Sequence, residues 1–206
     1  MTRPSRAFLL AFAAVVTHVA ASTLGYSQTY YQDQQARVNS LPTVVARSDD
    51  PSDLLLASLE TIFHNPEICC GRSSALEDSA QAADARSLKD IASKLDGRHL
   101  LGDGRPIHVT AAYLTPEAVT ASHVVGELAD QHPMLMQWNS HLYVVYGVVY
   151  VRTEDPSEPG TVGMITRKFL LWDTRYSDER RNVVFDRESE DPNKVQGLLF
   201  LQWHMD

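Results

Sequence analysis

Residues 141–151 read His-Leu-Tyr-Val-Val-Tyr-Gly-Val-Val-Tyr-Val, and this stretch decides the fold. Valine and tyrosine favour the pleated surface of a sheet, so this run is the strongest strand signal in the chain. A two-residue turn, Asn139-Ser140, joins it to a short apolar run at 134–138. An acidic loop rich in proline and glycine, 153–163, separates it from another apolar run at 164–172. Runs joined in this way predict an antiparallel sheet.

Helices are predicted in the part of the sequence that precedes most of these strands. Asp50-Pro51 supplies an N-cap and a first-turn proline, and apolar residues at helical spacing continue to Phe63. Other helices are predicted from Ser73 or Ser74, over 87–95, and from Thr115-Pro116. Additional strands are predicted at 107–113 and 197–203. This order predicts an α+β fold, with an N-terminal helical half packed on an antiparallel sheet.

The N-terminus has the layout of a secretory signal peptide. Arg3 and Arg6 are followed by the apolar run 7–16 and then by small residues at 20–22. The run is half of the ~20 apolar residues that span a bilayer, although an uncleaved anchor remains the alternative. We therefore expect residues 1–22 to be removed and the mature protein to be secreted or periplasmic. Residues 23–50 are predicted as a flexible leader, and residues 51–206 as a single domain.

The charge of the chain excludes some classes of partner. The formal net charge is −8, and it becomes −10 once Arg3 and Arg6 are removed with the signal. An acidic mature protein does not offer the basic face that nucleic acids require. It also lacks a basic amphipathic helix for anionic lipids, so no stable membrane insertion is expected after signal removal.

The two cysteines are neighbours, Cys69 and Cys70. Adjacent Cα atoms are about 3.8 Å apart, whereas the Cα atoms of a disulfide usually lie roughly 4.4–6.8 Å apart. The pair is therefore a free thiol site, a strained redox pair or an intermolecular link. Gly71 and a predicted helix start at Ser73 or Ser74 follow directly, and a helix N-terminus favours thiolate over thiol. Cys70 is thus a candidate nucleophile, with two small buried hydrophobic residues as the alternative.

A nucleophilic thiol needs an imidazole base, which in turn needs an orienting group. His141 begins the strongest strand directly after a turn, so it is the candidate base; the alternative is a half-buried strand residue. If strands 141–151 and 164–172 form a symmetric hairpin centred at Ser157, Asp173 falls beside His141. A bulge at Gly147 would shift this register.

Four segments together resemble papain-like cysteine peptidases, especially the C39-like bacterial branch. They are the cysteine segment 70–76, the helix-then-strand segment 127–136, the histidine strand 140–148 and the strand 170–174 that contains Asp173. The order cysteine, histidine, aspartate agrees with that family, and the likeness covers roughly Ile62–Trp203. The resemblance implies a hydrolase, a peptidase acting on a peptide or protein substrate.

The resemblance also implies roles for particular residues. Cys70 would be the nucleophile, His141 the general base and Asp173 its orienting group. Asn65 or His64 would stand where the family places a glutamine that binds the oxyanion, and either can donate such a hydrogen bond. No metal or organic cofactor is implied. The alternative function is a catalytically silent papain-like domain that acts as an exported binding or structural module.

Overall fold

A single antiparallel sheet organises the residues described by the computed structural model, which are 32–63, 84–100, 104–154 and 162–205. Its strands are β1 (Gln34–Arg37), β2 (Gly97–Leu100), β3 (Pro106–Leu114), β4 (Met134–Trp138), β5 (His141–Glu154), β6 (Val162–Trp172), β7 (Asn182–Asp186) and β8 (Val195–Met205). The order across the sheet is β2-β3-β8-β4-β5-β6-β7, and β1 also pairs with β5. The last strand therefore lies in the middle of the sheet, beside β3 and β4.

Three α-helices accompany this sheet in the described part of the chain: α1 (Pro51–Phe63), α2 (Leu88–Leu95) and α3 (Ala121–Ala129). The hydroxyl of Ser87 caps α2 by accepting from the backbone N–H of Asp90 at 3.2 Å. The hydroxyl of Thr120 caps α3 by accepting from the backbone N–H of His123 at 3.2 Å. The prediction that α3 opens at Thr115 is wrong, because the cap is Thr120 and residues 116–118 form a turn.

The sheet carries a hydrophobic cluster on each face, because side chains alternate along its strands. Leu142 and Val144 of β5 belong to one cluster, which also contains the apolar residues of α1 and α2. Tyr143 and Val145 belong to the other, which contains Val124 and Leu128 of α3. The predicted α+β class with an antiparallel sheet is confirmed.

The chain ahead of Pro51 differs from the predicted flexible leader where the structure describes it. Gln34–Arg37 pairs with β5 as a strand, just past the part of β5 that pairs with β4. Val38 is 8% exposed, and the backbone N–H of Ala46 donates to the carbonyl of Thr174 at 2.8 Å. These contacts attach residues 32–50 to the sheet, and the compact unit begins at Gln32. The predicted signal peptide, 1–22, lies outside the described residues.

The β5–β6 register is close to the predicted one. Val144 pairs with Trp172 and Glu154 with Val162, so the hairpin is symmetric about position 158, one residue from the predicted centre. The register shifts once between Val145 and Gly147 and once between Val149 and Tyr150, and the shifts cancel. The first shift lies at the bulge predicted near Gly147.

Candidate functional site

His141 stands at the first position of β5, after a tight turn. Asn139 and Ser140 have φ values of 52° and 60°, which is the left-handed pattern of two-residue hairpin loops. His141 pairs with Trp138 across this turn, and its ring lies 5.4 Å from that of Tyr143. Its Nε2 atom is buried and has no hydrogen-bond partner among the described residues. A buried polar atom without a partner costs stability, so its retention needs an explanation.

Asp173 directly follows β6 and is 2% exposed. Because Val144 pairs with Trp172, one further step of the register sets Asp173 opposite Tyr143. The predicted direct pairing with His141 is therefore displaced by two positions along β5. Alternate residues share a face of a strand, so His141 and Tyr143 lie on the same side.

The Asp173 carboxylate is held by Arg175, which sequence reasoning missed. The Nε of Arg175 donates to Oδ1 at 3.0 Å and to Oδ2 at 3.1 Å, its Nη2 also donates to Oδ2, and its backbone N–H donates to Oδ1 at 3.0 Å. Both carboxylate oxygens are thus engaged, and no hydrogen bond joins Asp173 to His141. The spacing Asp-x-Arg is the signal that could have revealed this, since Asp178 and Arg180 form the same arrangement.

The charges around His141 oppose one another. Burial lowers the pKa of His141 below its usual value, and the Arg175 guanidinium lowers it further. The carboxylates of Asp173 and Asp49 act in the opposite direction but do not reverse the shift. The imidazole is therefore neutral at pH 7, which is the form that can accept a proton. Burial also raises the pKa of Tyr143, with a smaller contribution from Asp173.

The remaining predicted site residues, Cys70, Asn65 and His64, lie outside the described residues, as does Cys69. The predicted approach of Cys70 to His141 stays a prediction. The described residues on either side of this stretch are attached to the sheet. Phe63 packs edge-to-face on Trp203 of β8 at 5.1 Å, and the carbonyl of Arg86 accepts from Gln137 of β4 at 2.9 Å.

A second set of polar residues lies between α3 and the sheet. Glu127, 9% exposed, accepts from the side chain of Gln202 at 2.7 Å and lies 3.1 Å from Nδ1 of His132. His123 approaches the same carboxylate at 3.6 Å.

The described part of the chain holds no group of three or more histidine, cysteine, aspartate or glutamate side chains that could bind a metal ion. None of the described helices is long and apolar enough to cross a membrane.

Comparison with solved structures gives a weak structural likeness. No family model and no protein of curated function matches the chain. Among solved structures, UfSP from C. elegans, a cysteine protease with a papain-like fold, is similar with 14% identity over 87% of this chain and a TM-score of 0.46. This chain spans 36% of that protein's length. At this identity and TM-score, no property of that protein is assigned to this chain.

Proposed function

We propose that this chain is an exported cysteine hydrolase that cleaves peptide or amide bonds, with Cys70 as nucleophile and His141 as base. The observation that carries the proposal is the buried Nε2 of His141, which has no hydrogen-bond partner in the part of the chain that the structure describes and belongs to an imidazole whose pKa is lowered. Catalytic groups often combine burial, a shifted pKa and incomplete hydrogen bonding, because their partner is the substrate or nucleophile. The papain-like character and the C39-like branch belong to the same proposal.

The reaction would follow the scheme of cysteine acyl transfer. His141 takes the thiol proton of Cys70, the sulfur attacks the acyl carbon, and the proton passes to the departing amine. A water then attacks the thioester, with His141 as base, and releases the acid and the free thiol. The backbone N–H of Cys70, with Asn65 or His64, would bind the oxyanion. Asp173 would stabilise the imidazolium by its charge, since its effect on the pKa of His141 is upward.

Export is part of the proposal and rests on the arginines, apolar run and small residues of 1–22. The mature protein is expected to begin between Ser22 and Gln28 and to act outside the cytoplasm on peptide or protein substrates. N-terminal sequencing of the exported protein measures this. A mature chain that still carries residues 8–16 would indicate an anchor instead.

The test of the enzyme is alkylation of the cysteines by iodoacetamide across pH, with each modified residue mapped by mass spectrometry. Cys70 is expected to react well below the model thiol pKa of about 8.5. Cys69 serves as the internal control, and a His141→Gln variant should move the reaction of Cys70 to higher pH. Equal alkylation of both cysteines, unaffected by His141→Gln, would refute the catalytic proposal.

A silent binding module is the second candidate, and the Arg175–Asp173 pair favours it. Arg175 engages both oxygens of the carboxylate that the triad requires, and its charge opposes protonation of His141. The alkylation experiment separates the two candidates, because a silent module has no requirement for an activated Cys70.

A further inference from the structure

A small cavity opens beside β1, on the strand pair that ends at Asp173. Its volume is about 270 Å³, and it is lined by Arg37, Val38, Asn39, Leu41, Tyr146 and Trp172. The rings of Tyr146 and Trp172 lie 5.0 Å apart, and they share the lining with the apolar side chains of Val38 and Leu41. Ligand pockets of drug size span roughly 300–1,000 Å³, so this one suits a group the size of a single amino acid.

Positive charge surrounds the aromatic side of this cavity. The guanidinium of Arg181 lies 3.5 Å from the centre of the Trp172 ring, and Arg181 is 5% exposed. Its Nη atoms donate to the hydroxyl of Thr43 and the carbonyl of Pro42, while its buried Nε has no partner within the described ranges. Arg37, in the cavity lining, is exposed. Neither guanidinium forms an ion pair with a carboxylate among the described residues.

The two charges act together on the cavity. Burial raises the pKa of Tyr146, while the charges of Arg37 and Arg181 both lower it. Both cations therefore contribute to the electrostatic potential at this ring. Buried charges in proteins are usually paired with an opposite charge. In a chain with a net charge of −8, two cations without ion pairs beside an apolar cavity favour an anionic ligand.

We propose that this cavity binds a carboxylate attached to an aromatic or branched apolar group, such as the C-terminal residue of a peptide. The apolar group would lie against Tyr146 and Trp172, and the carboxylate would accept hydrogen bonds from Arg37 and Asn39. This combination of an apolar wall with a few polar groups is typical of small-molecule sites. The site does not depend on Cys70, so this proposal is tested independently of the proposed hydrolase activity.

The experiment titrates the mature protein with N-acetyl-phenylalanine, which carries the carboxylate, and with its neutral amide. Binding is followed by the NMR signals of the tryptophan indole N–H groups. The carboxylate is expected to bind with a dissociation constant of about 1 mM, to shift the Trp172 signal, and to bind about tenfold more tightly than the amide. Arg37→Gln should weaken binding of the carboxylate by a similar factor and leave the amide unchanged.

Arg152→Gln is the matched control. It removes an exposed arginine of β5 that does not line the cavity, so it should not alter binding. Equal affinity for the acid and the amide, an equal effect of the two arginine variants, or a shift confined to Trp138 and Trp203 would overturn the proposal. The absence of binding of either probe up to about 10 mM would overturn it as well.

Discussion

Arg175 controls the electrostatics of both predicted site residues that the structure describes. It holds the carboxylate of Asp173, and its charge also lowers the pKa of His141. One side chain thus engages the carboxylate of the orienting group and adds to the effect of burial, which is the main cause of the lowered pKa of the base. Arg175→Gln removes the guanidinium that holds Asp173, and with it the cation that lowers the pKa of His141.

We therefore expect Arg175→Gln to raise the pKa of His141. NMR titration of the imidazole carbon-bound protons measures the change directly. Arg180→Gln is the matched control, because Arg180 holds Asp178 in the same way but does not act on His141. A pKa of His141 that does not change in Arg175→Gln would contradict this account of its electrostatics.

The lowered pKa of His141 also sets a pH dependence of stability. The unfolded chain binds a proton at this histidine near pH 6.5, whereas the folded protein binds it only at lower pH. The unfolded state therefore binds more protons below about pH 6.5, and stability falls as the pH drops through that value. His141→Gln should reduce this loss, as measured by urea unfolding at pH 7.5 and at about pH 5.5.

Arg181 is buried, although it ends a run of four charged residues, Asp178–Arg181, of a kind that is typical of a solvated face. Arg181 is 5% exposed and stacks on Trp172, whereas its neighbour Arg180 has a side chain that is 70% exposed. Four consecutive charged residues contain no signal that one of them turns inward. The reason is tertiary: residues 42 and 43 supply the acceptors for its guanidinium.

We expect Arg181→Ala to lower the free energy of unfolding by about 2–4 kcal/mol, because it removes the stacking on Trp172 and two part-buried hydrogen bonds. Arg180→Ala should change it by less than about 0.5 kcal/mol, since the residue is exposed. Urea unfolding of both variants measures the difference. Similar effects of the two substitutions would show that the burial of Arg181 does not contribute to stability.

At the scale of elements, the apolar strands were predictable and the polar ones were not. The runs that became β4, β5 and β6 carry enough valine, leucine and aromatic residues to be recognised alone. The four residues of β1, Gln-Gln-Ala-Arg, have no strand preference of their own. They form a strand because β5 extends beyond β4 and presents an unpaired edge. Such strands depend on partners that a local pattern does not show.

Two glycines give a test of packing within the elements. Gly197 of β8 has a φ of 149°, and a Cβ atom there would lie 2.6 Å from Cε2 of Tyr113 and 2.8 Å from the carbonyl oxygen of Leu114. Gly126 of α3 has no atom within 4 Å of such a Cβ. Gly197→Ala should therefore destabilise the protein by more than about 1 kcal/mol, through steric overlap and backbone strain.

Gly126→Ala should instead stabilise the protein by up to about 1 kcal/mol, because alanine favours the helix and the space is open. Thermal unfolding of the two variants gives the comparison. Because the substitution is the same, the opposite signs would isolate the effect of the surroundings. Equal shifts in melting temperature would contradict the packing described around Gly197.

At the scale of the whole molecule, the sequence predicted the position of His141 in the candidate site better than that of Asp173. The turn at Asn139-Ser140 and the strand after it are local features, so the position of His141 followed from the sequence. The alignment of Asp173 depended on the centre of a long loop, and an error of one residue there displaced it by two positions. Its capture by Arg175 depends on the conformation after β6, which periodicity does not describe.

The predicted domain boundary at Pro51 provides the last test, because residues 32–50 contribute to the sheet. A protein that begins at Pro51 would lose β1, the bond from Val38 to the carbonyl of Tyr146 at 2.9 Å, and the acceptors of Arg181. We expect it to be less stable by at least about 3 kcal/mol, because several backbone hydrogen bonds and buried contacts are lost together.

A protein that begins at Gln32 keeps all of these contacts and is the matched control. The shorter protein should also aggregate, because residues 147–150 of β5 would lose their partner strand and present an open edge to other chains. Urea unfolding and size-exclusion chromatography of the two proteins measure both effects. If they unfold at the same urea concentration as monomers, residues 32–50 contribute nothing to the stability of the sheet, and the boundary at Pro51 is the physical one.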